Sequence, residues 1–110
     1  MPNECYNHIT ITSRLGVDHF MDNIKKLPNV SIEKCGKYAV RFEYVTAWTA
    51  DYIWLDSFLD KYASCWIKNI WNAEDGKAGV WIGYFNDDKY IKVLEWEDLS
   101  LEDEHYYFIN

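Results

Sequence analysis

Nothing in this chain runs long, repeats or pairs, and each of those lacks narrows what the protein can be. No apolar stretch approaches the roughly 20 residues that a membrane span needs, so the expectation is a soluble protein. The three cysteines, Cys5, Cys35 and Cys65, are odd in number, far apart and form no Cys-x-x-Cys pair. With no signal-peptide pattern at the start, they read as the reduced, intracellular thiols of a cytoplasmic protein. Two prolines and five dispersed glycines leave no Gly-rich phosphate loop, linker or low-complexity segment. Basic charge is scarce as well: 11 Lys and Arg face 18 Asp and Glu, a net charge of −7. That balance lacks a basic nucleic-acid footprint, and acidic chains are repelled by phosphate backbones and anionic membranes. The expected partner is therefore a protein with a basic surface, with no direct nucleic acid and no membrane.

Aromatic residues are what the chain has in excess. Six Trp, nine Tyr and five Phe fall among 110 residues, a length that makes one domain, 1–110. Such a chain buries roughly 65% of its unfolded surface, enough for one core without metal or disulfide support. Each buried aromatic removes about 150–250 Å² from water, so a few suffice for the core. Either the remainder tile both faces of one sheet, or a surplus stays exposed as a binding face.

Hydrophobic periodicity divides the chain into eight elements. Cys5 to Thr12 alternates, with Cys5, Asn7, Ile9 and Ile11 on one face of a strand. Ser13 is the expected N-cap of a helix whose apolar stripe is Val17, Phe20, Met21, Ile24 and Leu27, ended by Pro28. Val30 to Lys34 and Tyr38 to Val45 read as a hairpin about the Cys35-Gly36-Lys37 turn. Thr49 is the expected cap of a second helix, with Tyr52, Leu55, Phe58, Leu59 and Tyr62 inward. Cys65 to Trp71, Gly79 to Phe85 and Tyr90 to Glu95 follow as strands, separated by polar turns. The order predicts an α+β fold: a ferredoxin-like βαββαβ sandwich with an appended β-hairpin and, at 95–110, an acidic and aromatic C-terminal extension.

The opening Met1-Pro2-Asn3-Glu4-Cys5-Tyr6-Asn7, which runs into an apolar strand, resembles the Api92-like (YubB-like) ferredoxin-like domains of phages and plasmids. Trp48-Thr49-Ala50-Asp51 is similar to that family's entry to its second helix, without the usual proline. Trp71 to Trp81, with its acidic turn, is similar to the family's aromatic strand, turn and Gly-x-aromatic strand. The likeness extends to about Phe85. It implies the same fold and an origin in a mobile element, and it implies no activity, since the family has none established.

The residues that could carry function form two groups. Glu95, Trp96, Glu97, Asp98, Glu102, Asp103 and Glu104 interleave carboxylates with large apolar anchors, a pattern suited to a basic partner and to DNA mimicry. Asn7, Trp48, Trp66 and Trp81 are the candidates for an aromatic ligand cleft. Asn7, on an inward face, must be satisfied, and its first expected role is to pin the loop at Trp48. No metal set is recognisable: Cys5 and His8 are three apart on a strand and so point to opposite faces. No cofactor motif and no local nucleophile signature is present. The leading expectation is a non-enzymatic, acidic protein-binding module that inhibits a host defence or nucleic-acid-binding protein. Alternatives are a small-molecule-binding or enzymatic domain built on the aromatic cleft, and a homodimer.

Overall fold

A computed structural model describes residues 3–96 of the chain. Its elements are β1 (Glu4–Ser13), α1 (Met21–Lys25), β2 (Ser31–Cys35), β3 (Ala39–Ala47), α2 (Tyr52–Lys61), β4 (Cys65–Ala73), β5 (Ala78–Asn86) and β6 (Asp88–Trp96). The strands form one six-stranded sheet in the order β2-β3-β1-β4-β5-β6, and every neighbouring pair is antiparallel. The expectation of a ferredoxin-like βαββαβ sandwich with an appended hairpin is corrected here. The described chain is mostly antiparallel sheet, and β5 and β6 extend it edge on rather than standing apart.

The helical layer is thin for a local reason. Ser13 does not cap a helix; it ends β1, and its hydroxyl lies 3.0 Å from that of Ser64 and accepts from the Leu15 amide. Gly16 then takes a left-handed φ of 91°, a conformation open to glycine, and successive turns carry the chain to Phe20. Phe20 offers no side-chain cap, so α1 is only five residues long. Val17, Phe20 and Ile24 are buried all the same, which is what their spacing predicts. In α2 the cap is Asp51, not Thr49: its carboxylate accepts from the Trp54 amide at 3.0 Å. Leu55, Phe58 and Leu59 turn to the sheet, as the stripe requires, while Ile53 stays exposed.

The core lies between the helices and one sheet face. It joins Ile9, Ile11, Phe42, Ile67 and Trp81 from the strands to Phe20, Ile24, Leu55 and Leu59. Two glycines of β5 make room for indoles, Trp81 in this core and Trp71 in a smaller cluster with Cys5, Ala50 and Ala73. A Cβ at Gly83 would lie 2.4 Å from the Trp81 ring, and one at Gly79 2.7 Å from Trp71. Glycine in the strand interior thus lets two tryptophans lie flat over the backbone. Lys89 ties β6 to α2, with Asp56 at 2.6 Å and Asp60 at 2.7 Å. Among the described residues, no helix is long and apolar enough to cross a membrane.

Candidate functional site

Successive residues of a strand point to opposite faces, so the register fixes which side chains share the face that, among the described residues, carries no helix. Three transverse rows run across it. One passes through Ala39, Thr12, Trp66, Tyr84 and Tyr90. The next passes through Lys34, Arg41, Thr10, Lys68, Ile82 and Lys92. The third passes through Glu43, His8, Ile70, Val80 and Leu94.

The first row is a stack of rings. The Trp66 indole lies on the Tyr84 ring with centroids 4.0 Å apart and planes 3° from parallel. Tyr84 continues onto Tyr90 at 4.9 Å and 31°. Trp66 is 52% exposed and Tyr90 46%, so the stack stands in solvent. With Tyr84 on one side, the other indole face turns toward Thr12. There it borders a groove of about 580 Å³ lined by Thr12, Ser13, Arg14, Tyr38 and Trp66.

The second row is cationic. Lys34, Arg41, Lys68 and Lys92 are all exposed, and the Arg41 Nε donates to Thr10 Oγ1 at 3.4 Å. Among the described residues, none of these four takes part in an ion pair. From β2 to β6 the row crosses five inter-strand gaps, a span of about 24 Å. The third row is apolar at the β4–β6 end, with Ile70 and Leu94 about half exposed. At its other end His8 Nδ1 lies 3.3 Å from Glu43 Oε2. Glu33 joins these two in a group whose ligand-type atoms lie within 4.8 Å of one another. All three sit at the surface, and the His8–Glu43 contact already accounts for two of them.

The four residues expected to line a cleft are not brought together. Trp66 stands on the open face, whereas Trp81 and Asn7 are buried on the helical side. Trp48 follows β3, at the Glu4 end of β1, opposite the Thr12 end where Trp66 lies. It is 60% exposed and holds a φ of 71°, left-handed backbone that a bulky residue seldom adopts. Its amide donates to Asn3 O. Asn7 serves the fold around it: its amide donates to Tyr44 O at 3.2 Å and to Thr46 Oγ1 at 2.9 Å. The Thr46 hydroxyl donates in turn to Thr49 O at 2.6 Å, holding the loop that carries Trp48.

Of the acidic candidates, Glu95 is engaged within the chain. The Tyr52 hydroxyl donates to it, joining the start of α2 to β6. Burial first, and the neighbouring Glu95 second, push the Tyr52 hydroxyl well above the usual tyrosine range. Trp96 ends β6, its backbone opposite Ala78. Glu97, Asp98, Glu102, Asp103 and Glu104 lie outside the described residues. They matter for charge: residues 97–110 contain five carboxylates and no Lys or Arg, so the rest of the chain carries only −2.

Sequence reasoning did not find the cationic row. Its members come from four strands, and only the strand order aligns them. The signal within reach was β4, where Trp66, Lys68 and Ile70 alternate with buried Ile67 and Asn69. Taken together, the open face offers ring surface, apolar contact and positive charge. Compared with protein families, curated proteins and solved structures, the chain matches none.

Proposed function

We propose that this protein is a non-enzymatic binding module of a phage or other mobile element, acting on a host component in the bacterial cell. Its working surface is the open sheet face of β4–β6. The observation that carries this reading is the solvent-exposed Trp66–Tyr84–Tyr90 stack beside half-exposed Ile70 and Leu94. Soluble monomers seldom leave contiguous apolar surface bare unless something binds it. Aromatic side chains are also the residues that most often anchor interfaces. The resemblance of the first seven residues to phage and plasmid domains supports the mobile-element origin.

The test is capture from bacterial lysate by the tagged full-length protein, with and without nuclease, beside a Trp66→Ala/Leu94→Ser variant. A component retained by the wild type and lost by the variant supports the open face. Equal retention by both proteins, or none by either, overturns it.

A second reading, inhibition of a host defence or nucleic-acid-binding protein by DNA mimicry, has the charge distribution in its favour. Five of the seven net negative charges are concentrated in residues 97–110. A basic protein surface would meet that stretch by long-range attraction. Substituting Glu102, Asp103 and Glu104 by Lys should then abolish capture of a protein that high salt also releases. Unchanged capture sinks this second reading and leaves the first intact.

A further inference from the structure

We infer that the open face binds single-stranded nucleic acid, with phosphates along the Lys34–Arg41–Lys68–Lys92 row and a base stacked on Trp66. The inference rests on the reading of that face as the working surface and names its ligand class. It reverses the expectation of no direct nucleic acid, which was drawn from the charge of the whole chain. That charge is not spread evenly: residues 1–96 carry −2, and four cations that take part in no ion pair among the described residues lie in one line.

The geometry is that of a polymer alternating negative charge with flat rings. The cationic row and the aromatic row are adjacent, two residues apart along each strand, so about 7 Å separates them. A strand whose backbone follows the cations therefore presents its bases to the rings. The Trp66–Tyr84–Tyr90 stack uses its inner ring faces on itself. Trp66 keeps the face toward Thr12, where the groove of about 580 Å³ begins. A base entering the groove extends the stack by one ring, with the exposed Arg14 at the groove wall to meet a phosphate. Aromatic platforms tolerate any base, because every base has a π-face. The site thus favours single strands over duplexes, whose bases are already stacked.

A purely acidic or purely apolar protein partner explains only one of the two rows. The nearest carboxylates lie on both sides of the sheet. Asp56 and Asp60 belong to α2 in the helical layer, where Lys89 holds them. Glu33 and Glu43 lie beside His8, next to the cationic row at its β2–β3 end.

Fluorescence anisotropy of labelled oligo-dT and oligo-U of about 15 nucleotides, against the full-length protein, tests this. Four phosphates neutralised on a single strand give a salt slope of about −2.8, or about 50-fold weaker binding between roughly 50 and 200 mM salt. Trp66→Ala should weaken binding about tenfold and leave the salt slope unchanged. Lys68→Gln with Lys92→Gln should reduce the slope by about 1.4. All three positions are exposed, and unchanged circular dichroism and melting confirm that the variants fold. A duplex of the same length should bind more weakly. No oligonucleotide binding at low salt, or binding indifferent to all three substitutions, overturns the inference. If the lysate experiment still finds a nuclease-resistant protein that depends on Trp66 and Leu94, only the ligand class is wrong. If that capture fails too, the open-face reading falls with it.

Discussion

The Asn69 amide donates to the side-chain oxygen of Asn7 at 3.0 Å, joining β1 to β4 inside an otherwise apolar layer. Both residues are fully buried. Asn7 in turn donates to Tyr44 O and Thr46 Oγ1, so one amide links three strands of the sheet.

Replacing Asn7 by Leu leaves Asn69 and the Thr46 hydroxyl without that partner. An unpaired buried polar group costs about 1–3 kcal/mol, so Asn7→Leu should destabilise by about 2–4 kcal/mol. Asn7→Leu combined with Asn69→Leu should recover part of the loss, because the orphaned amide is removed with its partner. Urea unfolding of the three variants reads the coupling. Strictly additive losses would mean that the two amides do not act as a pair.

Trp48 tests a different kind of cost. Its φ of 71° places a bulky side chain in left-handed backbone, and the ring is 60% exposed, so packing repays little. Such residues store about 1–3 kcal/mol of strain, which glycine relieves at some entropic loss. Trp48→Gly is expected to be neutral or stabilising by up to about 1 kcal/mol, and Trp48→Val destabilising. Thermal melting of the pair checks this. A marked loss in Trp48→Gly would show that the indole itself supports the loop.

The strands and α2 were legible in the sequence because burial imposes a period, and Ile9, Phe42, Leu55 and Ile67 all obey it. The ends were not. Ser13 and Thr49 have the right chemistry for caps, but the Ser13 hydroxyl is engaged by Ser64 and the Leu15 amide, and Asp51, two residues beyond Thr49, takes the cap of α2. The two-layer sandwich was overestimated for the same reason, since α1 cannot begin until the turns after Gly16 are complete. For the site, exposed aromatics were expected and Trp66 was named, yet Trp81 has equal hydrophobicity and lies in the core. Period-two alternation says that residues differ in face, but it does not say which face is covered. Lys34 and Lys92 become neighbours in a row only through strand order, which no local pattern encodes.

The thiols should separate by burial. Cys35 is exposed, whereas Cys5 and Cys65 are buried. Burial pushes the Cys65 thiol up from 9.0 to about 11, and Cys5 moves in the same direction. A thiol-specific reagent at neutral pH should therefore titrate Cys35 quickly, and the other two only on unfolding. The pH dependence follows from the same shifts. Above about pH 9 the unfolded thiol loses its proton while folded Cys65 keeps it until about 11. The unfolded state then binds fewer protons, so stability falls as pH rises through that window. Melting temperatures from pH 7 to about 11 read the fall, and a Cys65→Ser variant should show a shallower one.

The acidic C-terminal residues should act on the open face through charge alone. Substituting Glu97, Asp98, Glu102, Asp103 and Glu104 by Gln or Asn in the full-length protein moves the net charge from −7 to −2. Long-range repulsion of a phosphate chain then weakens, and oligo-dT affinity at low salt should rise several-fold. At about 0.5 M salt, where the Debye length is only a few ångströms, the wild type and the variant should converge. A partner that instead recognises the acidic stretch itself would be lost in the same variant. Measuring oligonucleotide anisotropy and protein capture on this one variant separates the two outcomes. Tighter oligonucleotide binding with capture unchanged places the contact on Trp66 and the cationic row. Lost capture with oligonucleotide affinity unchanged places it on the carboxylates.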